Sequence, residues 1–300
     1  MGFFPFKIGL LGSVFIALNI GVCQADQLLI APNSLTPPVI DGKGNDPAWS
    51  QVPGITTHDT VAEIPLELKA VHSGDNIYFL VRYPDSDESN SHRSWVWNQN
   101  LGTYKAGHNR EDIFVFKWFL NGDDSDLTLS SPGPYTADVW YWKACRTNPE
   151  GYADDKIQRL SLEPMDHARR ILSKTGETNF LIRLGDQGTP AYQSRVVVTN
   201  QGPIIPRFDL KKPTGSRADV QAKGVWTDGY WVIEFRRNLR TGHTDDLQMD
   251  IGRSYRFGVS RYEISGLDVV PESDQPKFWC GEISEIITLE FTRNGKDKAW

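Results

Sequence analysis

The sequence has few of the residues that build thiol frameworks and metal sites. Of its 300 residues, 3 are Cys and 3 are Met. Three cysteines are too few for a disulfide scaffold or a four-thiolate zinc site. Lys and Arg total 32 against 38 Asp and Glu, without basic clusters, which argues against nucleic acid as the main partner.

The common catalytic and cofactor motifs are also missing. The sequence contains no C-x-x-C-H, G-x-x-x-x-G-K-[ST], H-E-x-x-H or G-x-S-x-G. No nucleophile–base pair is evident, so we do not expect catalysis by this chain. The acidic groups 123–126, 154–155 and 245–246 lie in turn-like contexts, where solvated loops are favoured over calcium sites.

One long hydrophobic run occurs, at the start of the chain. It extends from Ile8 to Val22 after Lys7, which is short for a membrane span of about 20 residues. Residues 1–25 therefore read as a signal peptide cleaved after Ala25, with an uncleaved anchor or lipidation at Cys23 as alternatives. We expect an exported, most simply periplasmic, protein without a membrane span after cleavage. In that compartment Cys145 and Cys280 can pair or stay free.

Aromatic and turn-forming residues are abundant, with 10 Trp, 10 Tyr, 14 Phe, 26 Gly and 18 Pro. Such a composition favours short strands joined by turns. Alternation and apolar runs predict a hairpin over 64–83, a central strand over 112–120, and strands over 138–145, 231–235, 254–262 and 285–291. We predict an all-β fold, an antiparallel β-sandwich.

The periodic pattern weakens between residues 148 and 224. Gly- and Pro-rich stretches surround a single short helix candidate near His167–Lys174. We interpret 148–224 as a long loop-rich insertion, of a length that is unusual unless it serves a site. The predicted organisation is one domain over 26–291, followed by a polar tail over 292–300.

Several segments carry a family resemblance. The opening motif VIDGKGNDPAW (39–49) resembles family-9 carbohydrate-binding modules and related DOMON-like sandwiches. The segments LKAVHSGDNIYFLVRYPD (68–85), EDIFVFKW (111–118), DVWYWKACRTNPEGYADDK (138–156) and GSRADVQAKGVWTDGYWVIEFRRNLRTGHTDD (215–246) are similar to the haem-binding domain of the ethylbenzene dehydrogenase small-subunit family. The resemblance covers about residues 35–291.

This resemblance implies a sandwich that holds one non-covalent b-type haem. It also implies electron transfer to a redox partner, such as a c-type cytochrome or a molybdenum-enzyme subunit. Two alternatives remain: a carbohydrate-binding module without haem, and a haem-free structural partner of a redox complex.

The axial ligands do not all carry over from the family. The relative uses a Met and a Lys, but Leu127–Ala137 contains no Met, where the family Met is expected. Lys277 is the nearest candidate for the family lysine. Different ligands, a five-coordinate haem or no haem are the three possibilities.

His72 and Lys143 are the candidate axial ligands. His72 ends the apolar face of its strand, in register with Leu68 and Ala70, and its alternative is a rim histidine that caps the following turn. Lys143 shares an apolar strand face, so it needs either the haem or a salt bridge to Asp112 or Glu111.

Other candidates have polar or ionic alternatives. Arg146, Arg217 and Arg236 could pair with haem propionates, or form surface salt bridges. His243 could be held by Asp245 or Asp246, or lie in a polar turn. Weaker candidates are His108, His92 and Met249, which we interpret as a solvated loop residue, a polar loop residue and a core residue.

Overall fold

A computed structural model describes residues 27–59, 63–124, 126–262, 283 and 285–292. The predicted signal peptide, Lys277, Cys280 and nearly all of the polar tail lie outside these residues, so the predictions made for them stay predictions. Within the described ranges, the helices are too short and too polar to span a membrane.

An eight-stranded sheet forms one layer of the fold. In spatial order its strands are β1 (Gln27–Pro32), β18 (Ile287–Thr292), β17 (Tyr255–Tyr262), β7 (Ile113–Gly122), β8 (Tyr135–Lys143), β9 (Asp154–Ser161), β11 (Thr178–Gly185) and β10 (Arg169–Leu172). Neighbouring strands are antiparallel except β1 and β18, which pair in parallel.

A five-stranded antiparallel sheet forms the second layer. Its order is β15 (Gln221–Thr227), β16 (Tyr230–Asn238), β4 (Asn76–Pro84), β3 (Ile64–Ser73) and β2 (Ile55–Asp59). Two small sheets lie outside these layers: β13 (Ile204–Ile205) with β5 (Trp95–Asn98) and β6 (Thr103–Ala106), and β12 (Tyr192–Ser194) with β14 (Phe208–Leu210). A short helix, α1, covers Pro47–Ser50, and 3-10 turns cover Asn148–Glu150 and Gly215–Ala218.

Aromatic side chains join the two layers. Phe116 of β7 packs edge-on against Phe235 of β16, with ring centroids 5.1 Å apart. Trp142 of β8 meets Trp231 of β16 in the same way, at 4.8 Å. These contacts define the all-β sandwich that the aromatic-rich strands predict, and the predicted hairpin over 64–83 is confirmed as β3 and β4.

Strand β7 is buried on both faces, as its sequence predicts. Phe114, Phe116 and Trp118 face the inter-sheet core. Ile113 and Val115 face a second apolar cluster on the opposite side of the sheet, with Leu127, Leu129, Tyr135, Ala137, Val139, Leu160, Leu181, Ile283 and Ile286. The strand is therefore central in its sheet, between β17 and β8.

Glu234 of β16 fixes the opening motif to the five-stranded sheet. Its Oε1 accepts a hydrogen bond from Trp49 Nε1 at 2.9 Å, and its Oε2 accepts from the backbone N–H of Gly42 at 2.8 Å. Gly42 has a φ of +80°, and a Cβ there would lie 2.9 Å from a Val225 methyl group. Asp41, Gly42 and Trp49 of the motif thus all donate hydrogen bonds to the buried Glu234 carboxylate.

The expected insertion is narrower than the sequence pattern suggests. Residues 154–185 contribute β9, β10 and β11 to the eight-stranded sheet, and Gln221–Thr227 forms an edge of the other. The prediction of a helix near His167–Lys174 is wrong, because Arg169–Leu172 forms strand β10, which pairs with β11. Strand β10 (RRIL) and strand β11 (TNFLIRLG) do not alternate regularly, and many of their residues are exposed, so the sequence pattern of a strand is weak there.

Candidate functional site

Asp154 is the hub of a buried ionic cluster at the start of β9. Its Oδ2 accepts from Lys143 Nζ at 2.5 Å and lies 3.3 Å from Lys156 Nζ, while its Oδ1 pairs with Arg217. The carboxylate is fully buried. Burial alone would raise the pKa of Asp154, but the adjacent cations outweigh it and lower that pKa. The turn-like, solvated reading of residues 154–155 is therefore wrong.

Lys143 is buried, as expected for its apolar strand face, but its partner is neither Asp112 nor Glu111. Besides Asp154, it donates to Tyr192 Oη at 3.2 Å. Burial lowers the pKa of Lys143 to about 8, despite the opposing attraction of Asp154. A neutral amine is the form that can coordinate iron, and this environment brings that form close to neutral pH.

Glu111 forms a second ionic group beside the first. It pairs with Arg146 Nε, and its Oε2 accepts the backbone N–H groups of Cys145 and Arg146 at 2.8 and 3.0 Å. Its Oε1 lies 3.4 Å from His92 Nδ1. Because β7 pairs with β8, the residues just before β7 lie next to those just after β8, which brings Glu111 to Arg146.

His92 is held as a neutral imidazole. Burial, followed by the charges of Arg146, Arg110, Lys143 and Arg93, lowers the pKa of His92 to about 2. Its Nδ1 lies 3.4 Å from Glu111 Oε1 but has no hydrogen-bond partner among the described residues.

Two aromatic rings from the small β12–β14 sheet cover this group. Tyr192 and Phe208 pack edge-on, with centroids 5.5 Å apart, and the Arg146 guanidinium lies 5.0 and 5.3 Å from their centres. His92 approaches Phe208, with a centroid separation of 5.9 Å. We call this set the cation cluster: His92, Glu111, Lys143, Arg146, Asp154, Tyr192, Phe208 and Arg217.

Positive charge exceeds negative charge around the cation cluster. Arg207 stacks over the Trp95 ring at 4.5 Å, and its pKa is lowered by burial and by the charges of Arg93 and Arg146. The Nε atoms of Arg93 and Arg207 are buried without a hydrogen-bond partner among the described residues. The arrangement therefore suits an anionic group.

The cluster brings together the sequence-predicted residues Lys143, Arg146 and Arg217 with the weaker candidate His92, and Gly185 helps to position Arg217. A Cβ at Gly185 would lie 2.6 Å from Arg217 Nη1, so the absence of a side chain there leaves room for the guanidinium. The contact with Asp154 then places Arg217 beside Lys143.

His72 lies elsewhere. Its ring is buried at the end of β3, where Nε2 lies 3.1 Å from the Thr292 carbonyl oxygen and the ring packs edge-on against Phe291. Thr292 ends β18, which is separated from β8 by β17 and β7. Three strand spacings are roughly 14 Å, so His72 and Lys143 cannot serve one iron as an axial pair.

His243 is held by Asp219 rather than by the expected Asp245 or Asp246. Its Nδ1 lies 2.6 Å from Asp219 Oδ2 and 3.9 Å from Asp246 Oδ2. The hydrogen bond to Asp219 raises the pKa of His243, which favours the charged ring and opposes coordination to iron. Asp219 ends a 3-10 turn, and sequence spacing gives no signal for this contact.

The remaining candidates stand apart from the cluster. Arg236 donates hydrogen bonds to the side chains of Asn76 and Gln221 on neighbouring strands, and His108 is exposed. Met249 is a core residue, as interpreted from its sequence. Burial raises the pKa of the Cys145 thiol to about 11, and its predicted pairing with Cys280 involves a residue outside the described ranges.

Sequence reasoning gave His92 little weight and missed Glu111, Asp154, Tyr192 and Phe208 as parts of one group. The available signal was the WKACRTNPEGYADD run, which places a Lys, an Arg and two Asp within a dozen residues of a buried strand pair. The contribution of Tyr192 and Phe208 depends on how residues 186–214 fold back, which no local pattern shows.

Fold and site together define an all-β sandwich with a buried cationic group at the start of β9 and beneath a small outer sheet. A family model described as ethylbenzene dehydrogenase matches residues 45–268, well over half of the chain, and the chain belongs to this family. No curated protein sequence gives a significant match.

Solved structures of similar outline are carbohydrate-binding modules. A family-9 module from Caldicellulosiruptor kristjanssonii in complex with glucose is 12% identical over 90% of this chain and 100% of that chain, with a TM-score of 0.40. The same module in complex with cellotriose is 12% identical over 91% of this chain and 98% of that chain, with a TM-score of 0.39. A likeness at this level says nothing about the ligand of this chain.

Proposed function

We propose that this protein is a haem-binding electron-transfer subunit rather than a catalyst, and that the cation cluster holds the haem. Membership of the ethylbenzene dehydrogenase family supports a place in a redox complex. The observation that carries the proposal is the environment of His92. This residue is a neutral imidazole, and the positively charged side chains around it outnumber the carboxylates. A b-type haem needs a nitrogen or sulfur donor, an apolar surface and positive charge for its propionates.

The donor chemistry of the cluster fits this cofactor. His92 would hold the haem iron through a ring nitrogen, with the Glu111 carboxylate 3.4 Å from its Nδ1. Lys143 is a second residue that would hold the iron, because its lowered pKa makes the neutral amine accessible. This pair replaces the Met and Lys expected from the family, and Lys277 stays the alternative lysine.

Surrounding residues meet the other needs of the cofactor. Arg93 and Arg207, whose Nε atoms have no partner in the described ranges, would pair with the propionates. Tyr192 and Phe208 supply ring faces. A bound haem iron supplies a one-electron ferric–ferrous couple, and the nearby arginine charges would raise its reduction potential by opposing the ferric charge.

Export and partners follow as parts of the same proposal. The signal peptide predicted over residues 1–25 would deliver the chain to the periplasm, where a c-type cytochrome or a molybdenum-enzyme subunit would exchange electrons with it.

We expect His92→Ala to weaken haem binding by about tenfold or more. The test titrates purified protein with haemin and follows the Soret band of the wild type and the variant, with His108→Ala as an exposed histidine control. Adding imidazole should restore the wild-type spectrum in the His92 variant only. If the His92 variant binds haem with the wild-type affinity and spectrum, His92 is not the ligand.

A further inference from the structure

Three aspartates converge between the sheets, close to but separate from the cation cluster. They are Asp138 on β8, Asp155 on β9 and Asp246 in the segment before β17. One carboxylate oxygen from each lies within 4.8 Å of those of the other two. Asp138 and Asp155 are fully buried, and Asp246 is 5% exposed.

Each aspartate is anchored through one oxygen. Asp138 Oδ2 accepts the Leu247 backbone N–H at 2.9 Å, and Asp155 Oδ1 accepts the N–H of Lys156 at 3.1 Å. Asp246 Oδ1 accepts from Ser216 Oγ at 3.3 Å. The side chains are therefore held in fixed positions by the backbone and by one hydroxyl.

The second oxygen of each aspartate is an orphan. Asp138 Oδ1, Asp155 Oδ2 and Asp246 Oδ2 are buried without a hydrogen-bond partner among the described residues, although Asp246 Oδ2 lies 3.3 Å from Arg237 Nη2. A buried, unsatisfied carboxylate oxygen costs several kcal/mol unless a ligand or a proton meets it. Three together in one place point to a missing positive species.

The positive charges around the three aspartates are too few to balance their carboxylates. Arg237 contacts this group through Asp138 at 3.2 Å and Asp246 at 3.3 Å, and His243 Nδ1, which is held by Asp219, lies 3.9 Å from Asp246 Oδ2. One guanidinium, with an imidazole that is shared with Asp219, does not balance three carboxylates, and Asp186 adds a fourth nearby with an orphan Oδ2.

The donor set favours calcium among divalent cations. All the donors are carboxylate oxygens, which hard cations prefer. Mg²⁺ usually keeps several waters, for which a site this buried leaves little room, whereas Ca²⁺ takes six to eight oxygen ligands in flexible geometry.

We propose that Asp138, Asp155 and Asp246 form a structural Ca²⁺ site that clamps the segment before β17 onto strands β8 and β9. Because the segment 239–254 has little regular secondary structure, the ion would fix it to the sandwich. This site is independent of haem binding and of the proposed function.

The test uses the full-length protein after dialysis against a chelator. Titration with CaCl₂ should give one Ca²⁺ per chain in a chelator-competition assay, and saturating Ca²⁺ should raise the Tm by about 5–10 °C. MgCl₂ should have a smaller effect. No bound Ca²⁺ with an unchanged Tm, or tighter binding of Mg²⁺ than of Ca²⁺, would overturn the proposal; the first result would mean that protons shared between Asp138 and Asp155 balance the charge.

Variants separate a site from a general salt effect. Asp155→Asn should abolish the Ca²⁺ response, and in chelator its Tm should equal or exceed that of the wild type because like-charge repulsion is removed. Asp246→Asn provides a second variant if Asp155→Asn does not fold. Asp209→Asn, at a half-exposed carboxylate paired with Arg195, should keep the full response. A full response in both site variants would contradict the assignment.

Discussion

Replacing Asp154 with alanine is expected to lower the free energy of unfolding by about 3–5 kcal/mol, because it removes one partner from a buried ionic network. Lys143, Lys156 and Arg217 all meet this carboxylate. Without it their charges remain largely buried, and Tyr192 also loses its acceptor at Asp154 Oδ2. The loss thus combines several desolvated charges rather than one exposed ion pair.

Urea unfolding at pH 7 measures this effect. Asp209→Ala is the matched control, since its pair with Arg195 is half-exposed and an exposed pair is worth roughly 1 kcal/mol or less. The folded-state pKa of Asp154 is lowered, so its contribution is present above the unfolded value of about 3.9 and is lost as pH falls below it. The difference between wild type and Asp154→Ala should therefore narrow below about pH 4. A loss no larger than that of the control would contradict the role of Asp154 as hub.

Trp140→Ala is expected to cost about 3–5 kcal/mol of stability, because it empties the centre of the aromatic core. Trp140 is fully buried, with Trp118 5.1 Å and Phe116 5.6 Å away between ring centroids. It also reaches across to Phe79 on β4 at 6.0 Å, so its loss weakens the contact between the two sheets.

Chemical denaturation of Trp140→Ala beside Trp97→Ala distinguishes core packing from a general effect of losing tryptophan. Trp97 is half-buried on β5 and packs against Tyr104 in a small outer sheet, so its replacement should cost clearly less. Equal losses in the two variants would show that Trp140 is not central to the core.

The strands that carry the core could be predicted from sequence because their patterns are local. Residues 64–73 alternate, and residues 113–120 are apolar on both faces, so each pattern indicates how many faces are buried. The predicted strands over 138–145 and 254–262 correspond to β8 and β17. Strand β9 escaped prediction because charged residues at buried positions, such as Asp154 and Asp155, resemble solvated turns in sequence alone.

The site was less predictable because its groups come from distant parts of the chain. Lys143 was identified as a lysine that needs a partner, but the partner is set by the register of β8 against β9. The gathering of His92, Arg146 and Phe208 depends on the loop before β7 and on the small outer sheet. The spacing of residues along the sequence predicts neither the partner of Lys143 nor the grouping of His92, Arg146 and Phe208. Both become visible only in the folded structure.

The visible spectrum of the wild-type protein tests the central proposal most directly. Protein purified from a haem-replete periplasm, or reconstituted with haemin, should show a Soret band and reducible α and β bands at a stoichiometry near one haem per chain. Haem should leave on extraction into acidic organic solvent, since no C-x-x-C-H is present for covalent attachment. A folded but colourless protein that takes up no haemin would contradict the proposal, and if it also bound polysaccharide it would favour the carbohydrate-binding alternative.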